Sequence, residues 1–272
     1  MIRSGGNNWA LLAVSMAALL AVDPVLPVEL TELSGAAHGY PALRDANGKM
    51  LADGEFMQWV EDDRLHVKII YRFKGKRRIE ENAVLRQQPE VKQEEWSWRE
   101  KQDGQVVREF AVNFTSGTAT AQKRENNELK HWDEKIEVEP GKTFAGFGFT
   151  LAIQNLRKRL LAGEQIELKA VGFRPKPQVV TVQISHAGVN RMEMSGRNVK
   201  GDHFVVHPEV PAIAKLFVRV PDTQIWLTNP APPGFLRWEG PVAEPNDPIV
   251  RVDLVSGEES GSAQPVKGSD SE

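Results

Sequence analysis

A chain of 272 residues with 34 basic and 37 acidic side chains has a formal charge of −3, and both signs are interspersed along most of its length. This balance argues against nucleic acid as the main partner, because binding to a phosphate backbone relies on a basic face. Cysteine is absent, which excludes disulfides, thiol catalysis, cysteine-ligated zinc and lipid attachment through cysteine.

Residues 1–22 are predicted to be a signal peptide or an N-terminal membrane tether. Arg3 provides a basic start, and residues 9–22 form an apolar run that Ser15 alone interrupts. Such a run fits the apolar region of a signal peptide and is short for a bilayer span, which needs about 20 residues. Leu19 is large for its place before cleavage at Ala21, so the tether alternative stays open. We therefore expect a periplasmic or secreted protein, with membrane association only through this segment.

Residues 23–39 are predicted to be a linker and residues 40–255 a single β domain. Short alternating or apolar runs, separated by turn residues, are typical of antiparallel strands. Asp103 and Gly104 give a strong signal for a two-residue hairpin turn. The predicted strands are 56–60, 65–71, 94–98, 106–114, 166–173, 179–186, 192–194, 204–206, 216–220, 225–227 and 249–254.

One helix is predicted, at about residues 147–162. Its apolar residues recur at spacings of four, three and four, which places them on one helical face. Gly163 follows as a residue that ends helices in the left-handed conformation. The apolar stripe must lie on a sheet, so the predicted fold class is mainly β: a large curved antiparallel sheet, or an open barrel, packed on this helix. The stripe consists of Phe149, Ile153, Leu156 and Leu160.

Two segments are predicted to lack strands. Residues 229–248 contain six prolines and are expected to be an ordered crossing loop, since proline cannot donate to a strand ladder. Residues 256–272 are acidic and rich in serine and glycine, so they are predicted to be a disordered tail.

Several features carry a family resemblance across residues 40–254. They are the order of the strands, the helix with Gly163 behind it, a final strand pair, and the segments 96–98, 144–146, 175–177 and 235–241. With these features the chain resembles an uncharacterised family of bacterial periplasmic proteins of unknown function. The resemblance implies an open, strongly twisted antiparallel sheet and an envelope location, in a shape similar to the periplasmic lipoprotein carriers. It implies no activity, because a fold does not determine a function.

The candidate ligand-binding residues are Trp96, Trp98, Trp226 and Trp238. Trp96 and Trp98 are two apart in a predicted strand and therefore share one face. Trp226 and Trp238 are expected to converge on that face, together with Trp132 and Phe235. Such a set can form a platform or pocket for an apolar or sugar ligand. The alternative is ordinary sheet core, which is the commoner role of aromatic residues at a period of two.

No catalytic or metal motif stands out, so we predict no metal, no cofactor and, on balance, no enzymatic activity. His203 and His207 share a strand face but lie about 13 Å apart, too far for one metal ion. The hydrolase motif Gly-x-Ser-x-Gly is absent. Paired carboxylates such as Glu94 and Glu95 are plentiful, and nothing in the sequence marks them as desolvated.

Three functions from different classes remain open. The first is an envelope protein that binds a lipid or another amphiphile on the concave face of the curved sheet. The second is a structural or assembly partner of other envelope proteins, docking through the loop at 229–248. The third is a hydrolase of glycans or lipids, which would need two acidic groups about 5 to 9 Å apart. The surplus of aromatic residues without catalytic partners favours the first.

Overall fold

The computed structural model describes residues 26–126, 128–194, 196–209 and 220–255. Most of these residues belong to one 15-stranded sheet, accompanied by one α-helix, α1 (Gly148–Leu161), and a short 3-10 turn at Lys74–Lys76. The predicted signal or tether, the acidic tail and most of the predicted strand at 216–220 lie outside the described residues. The strands are β1 (Ala37–Asp45), β2 (Met50–Glu61), β3 (Arg64–Phe73), β4 (Arg77–Arg86), β5 (Lys92–Gln102), β6 (Gln105–Asn113), β7 (Thr118–Glu125), β8 (Glu128–Lys135), β9 (Thr143–Phe144), β10 (Ile166–Arg174), β11 (Lys176–Met194), β12 (Arg197–Pro208), β13 (Thr223–Asn229), β14 (Phe235–Pro241) and β15 (Ile249–Val255).

The sheet consists of two antiparallel meanders joined at the pairing of β1 with β15. Its strand order is β8-β7-β6-β5-β4-β3-β2-β1-β15-β14-β13-β12-β11-β10-β9. The short edge strand β9 pairs in parallel with β10, because α1 forms the crossover between them. Every other pairing is antiparallel, and the predicted fold class is therefore confirmed.

The sheet curls until strands near its two ends face each other. Phe173 of β10 stacks on Trp96 of β5, with ring centroids 5.7 Å apart, and on Phe110 of β6 at 4.6 Å. Lys176 of β11 pairs with Glu134 of β8, with 3.3 Å between Nζ and Oε1. These contacts join opposite arms of the sheet and give it an enclosed interior.

Helix α1 packs inside this curl. Ile153 and Leu160 are fully buried, as the apolar stripe predicted. Gly163 ends the helix with a φ of +92°, and its N–H donates to the carbonyl of Leu160. Beside this stripe, Nε of Arg157 donates to Asp202 of β12 at 2.8 Å. The helix is thus held by apolar packing and by one ion pair to the sheet.

Residues 26–36, part of the predicted linker, form a strap that is hydrogen-bonded to the rest of the domain. Val28 is fully buried. Its N–H donates to the carbonyl of Gly141, and its carbonyl accepts the N–H of Val91, both at 2.9 Å. Further along, Oδ1 of Asn155 in α1 accepts the N–H of Thr31 at 2.7 Å. The strap is therefore part of the folded domain, and it leads directly into β1.

Two strand predictions were wrong. The predicted loop at 229–248 contains β14, which pairs with β13 and β15. Its prolines lie in the two connections and at the end of β14, so the strand interior keeps its N–H donors. The predicted strands 179–186 and 192–194 are parts of the single strand β11, which continues through an irregularity at Gly188 with a φ of +109°.

Candidate binding cavity

The curled sheet encloses a cavity of about 910 Å³. Both arms of the sheet, the N-terminal half of α1 and the strap contribute to its wall. Binding sites for small molecules typically occupy roughly 300 to 1,000 Å³, so this cavity lies near the upper end of that range. Apolar side chains that represent these different elements are Phe56, Ile69, Phe147, Val180, Phe235 and Val250.

Trp96, Trp98 and Trp238 lie on the wall of this cavity. Trp96 and Trp98 point to the same side of β5, as their spacing predicted, and they are 8% and 5% exposed. The guanidinium of Arg108 lies over the ring of Trp98, 5.2 Å from its centroid, in a cation–π contact that helps to hold the ring in place. Three of the four predicted tryptophans thus meet at one cavity, and their contact with a ligand stays a prediction.

Trp226 lies on the opposite face of the sheet, which corrects its predicted place. It stands between Ile225 and Leu227 of β13, whose side chains enter the main core, so strand alternation directs Trp226 the other way. There it stacks on His203, with ring centroids 4.3 Å apart, and its Nε1 donates to Oδ1 of Asn190 at 2.8 Å. Burial lowers the pKa of His203 and so favours the neutral imidazole in this stack.

Glu81 of β4 places a carboxyl group in the cavity, and the sequence analysis did not single it out. Its Oε1 accepts the indole Nε1–H of Trp96 at 2.8 Å and the backbone N–H of Phe147 at 2.7 Å. The side chain is half-buried, and its accessible part faces the cavity. Burial raises the pKa of Glu81, although the two hydrogen bonds oppose the rise. Among the described residues, no cationic side chain pairs with it.

Gly146 allows the chain to approach this carboxyl closely. Its φ is +50°, and a Cβ added there would lie 2.1 Å from both Oε1 of Glu81 and Nε1 of Trp96. The adjacent Ala145 is bound on both sides by Gln93 of β5, which accepts its N–H at 2.8 Å and donates to its carbonyl at 3.1 Å. The entry to α1 is therefore fixed against β4 and β5.

The titratable side chains on the cavity wall fall into an exposed set and an interior set. Tyr71, 8% exposed, and Glu81 form the interior set. Burial raises the pKa of Tyr71, and the nearby Glu81 carboxyl adds to the rise. The interior is therefore mostly apolar, with two neighbouring polar groups. The exposed set, at the rim of the cavity, consists of Glu32, His38, Arg174 and Glu209.

The first part of the proline-rich segment, residues 229–248, also contributes to the cavity wall, at Pro232, Pro233 and Gly234. Oγ1 of Thr228 accepts the N–H of Gly234 and donates to the carbonyl of Pro232, both at 2.7 Å. The carbonyl of Pro233 accepts a hydrogen bond from Nε2 of Gln154 in α1 at 3.0 Å. These bonds tie the turn to the helix and to its own hairpin.

The second part of the proline-rich segment, residues 242–248, is tied to the other arm of the sheet. Arg108 of β6 pairs with Glu244 at 3.0 Å and with Asp247 at 2.8 Å. Lys123 of β7 pairs with Glu244 at 2.9 Å. These side chains are mostly buried, so the ion pairs connect residues 242–248 to strands β6 and β7 of the opposite arm.

In the part of the chain that the structure describes, no group of three or more His, Asp or Glu side chains is placed to hold a metal ion. His203 is hydrogen-bonded to Gln224, and His207 to Asp222. Over the same residues, no helix combines the length and the apolar character needed to cross a bilayer.

The sequence matches no family model, and a search of curated proteins gave no match. Two solved structures resemble this fold. One is a β-barrel-like protein of the domain of unknown function DUF1849 from Brucella abortus, with 7% identity, coverage of 83% of this chain and 98% of that chain, and a TM-score of 0.47. The other is the hypothetical lipoprotein YmcC from Escherichia coli, with 8% identity, coverage of 83% and 90%, and a TM-score of 0.32. Similarity this low supports no inference about family or function.

Proposed function

We propose that this chain is an exported envelope protein that binds an apolar or amphiphilic small molecule inside its curled sheet. The observation that carries the proposal is the cavity of about 910 Å³, with Trp96, Trp98 and Trp238 on its wall. The export signal predicted at residues 1–22 supports the location.

A ligand is favoured by the apolar surface that the cavity wall presents. A ligand that covers the apolar wall removes that surface from water, which contributes about 25 cal/mol per Å². The size of the cavity therefore supports a binding role over simple core packing.

The two other functions have less support from the geometry. Docking through residues 229–248 would compete with the bonds that tie this segment to Gln154 and Arg108. A two-carboxylate hydrolase would need a second acid within about 5 to 9 Å of Glu81. Of the described wall residues, the interior neighbour of Glu81 is Tyr71, and Glu32 and Glu209 belong to the exposed rim.

Gly172→Trp is expected to weaken binding of a neutral environment-sensitive dye, N-phenyl-1-naphthylamine, by a factor of roughly 10 to 100. Gly172 lies on the cavity wall, and a Cβ added there meets no atom within 4 Å, so a large side chain can enter the cavity. The factor corresponds to about 1.4 to 2.8 kcal/mol, which lies within the range that overpacking costs. Dye titration followed by fluorescence measures it.

Val189→Trp is the matched control, since Val189 is 51% exposed on β11 and does not line the cavity. It should bind the dye like the wild-type protein. Equal dye affinity in the wild-type protein and in Gly172→Trp would count against a binding role for the cavity.

A further inference from the structure

We infer that Glu81 and Tyr71 form a recognition point for an uncharged hydroxyl group on an otherwise apolar ligand. The inference rests on the proposed function, because it concerns the head group of the molecule that the cavity takes.

The two carboxyl oxygens of Glu81 differ in their hydrogen bonds. Oε1 already accepts two N–H groups, from Trp96 and Phe147, which fix the orientation of the carboxyl. Within the described residues, Oε2 has no hydrogen-bond partner. It is not one of the fully buried side-chain atoms that lack a partner, so it is open to the cavity, where water or a ligand can donate a hydrogen bond to it. The carboxyl is thus held in advance in a position to bind.

Tyr71 supplies the second polar group. It pairs with Ile79 in the β3 and β4 register, and Ile79 is two residues from Glu81 on the same face of β4. Tyr71 and Glu81 are therefore diagonal neighbours on adjacent strands, within reach of one small head group. No hydrogen bond joins the Tyr71 hydroxyl to another residue in the described ranges, and the residue lines the same cavity.

A hydroxyl group fits this pair because it both donates and accepts. An anionic head group would meet the Glu81 carboxyl, and among the described wall residues the interior holds no cation to compensate it. A cationic head group would have to lose its water between apolar walls, and that penalty often exceeds the gain from a single buried ion pair. Arg174 also lines the cavity, but it is exposed at the rim and therefore does not neutralise the interior carboxyl.

The test compares 1-decanol, decanoate and decylammonium as competitors of N-phenyl-1-naphthylamine at pH 7.5. The chains are equal in length, so their ranking reports the head group. We expect 1-decanol to compete best with wild-type protein. Tyr71→Phe should weaken 1-decanol by about 3- to 10-fold, the effect of one hydrogen bond, when the competition is corrected for the dye affinity of the same variant.

Substitutions of Glu81 complete the test. Glu81→Gln keeps an oxygen for the two N–H groups and places a donor where Oε2 stood, so affinity for 1-decanol should be retained. Glu81→Leu should weaken it by a similar 3- to 10-fold, and Tyr71→Phe decides the matter if Glu81→Leu does not fold. Equal competition by decanoate or decylammonium, or unchanged 1-decanol affinity in Tyr71→Phe, would overturn the inference and leave the proposed function standing. Failure of the wild-type protein to bind the dye or any competitor would overturn both.

Discussion

Replacing Arg157 by methionine is expected to lower the free energy of unfolding by about 3 to 5 kcal/mol, the usual cost of breaking a buried ion pair. Asp202 is fully buried, and two guanidinium nitrogens of Arg157 donate to its Oδ2. Without them the carboxylate keeps one donor, Nδ2 of Asn229. Methionine preserves most of the apolar length of the side chain, so the change reports the charge. Denaturant unfolding measures it.

Arg159→Met on the same helix is the matched control. Arg159 pairs with Glu164, and both side chains are close to half exposed, at 45% and 46%. Exposed pairs contribute about 0 to 1 kcal/mol, so this variant should stay near the wild-type stability. A loss in Arg157→Met no larger than that in Arg159→Met would contradict the role assigned to the buried pair.

Gly146→Ala is expected to cost on the order of 3 to 5 kcal/mol and to displace the Glu81 carboxyl. A left-handed conformation costs a residue other than glycine about 1 to 3 kcal/mol, and each lost hydrogen bond to a buried group adds about 1 to 3 kcal/mol. Both costs arise here, because the new Cβ would overlap Oε1 of Glu81 and Nε1 of Trp96. Urea unfolding gives the stability, and tryptophan fluorescence reports the displaced indole.

Gly163→Ala separates the two costs. Gly163 has a φ of +92°, but a Cβ there meets nothing within 4 Å, so only the backbone strain of about 1 to 3 kcal/mol applies. The difference between the variants measures the close approach at Glu81. If Gly146→Ala were no less stable than Gly163→Ala, the close packing of Gly146 against Glu81 would be wrong.

The helix and several strands could be predicted because their patterns follow from burial on one face. Ile153 and Leu160 are buried against the core, and Gly163 ends the helix, as the local sequence pattern predicts. The turn at Asp103 and Gly104 has the positive φ values, +50° and +82°, that its sequence requires. Trp96 and Trp98 share the interior face for the same period-two reason.

Strands β7 and β8 could not be predicted, because they are rich in charged and polar residues. Most of β8 is exposed, so selection for apolar side chains on its surface is weak. The prediction of a loop at 229–248 misses β14, because prolines flank Phe235–Pro241 on both sides while the strand itself pairs with β13 and β15. Prolines at the ends of a segment therefore do not exclude a strand in its interior.

The cavity itself depends on contacts between distant parts of the chain. Glu81 is one of many acidic residues in the sequence, and what distinguishes it is the meeting of β4, Trp96 and the start of α1. No local pattern encodes that meeting. Trp226 was assigned to the wrong face because Ile225, Trp226 and Leu227 are all apolar, which hides the alternation of β13.

The most direct test of a ligand-binding role is mass spectrometry of organic extracts from the protein purified from its native cells. Gly172→Trp, prepared in the same way, subtracts adventitious material. A near-stoichiometric amphiphile in the wild-type extract that is depleted in Gly172→Trp is the predicted result, and it would identify the ligand class. Extracts from both proteins that are equally free of bound molecules would contradict the account.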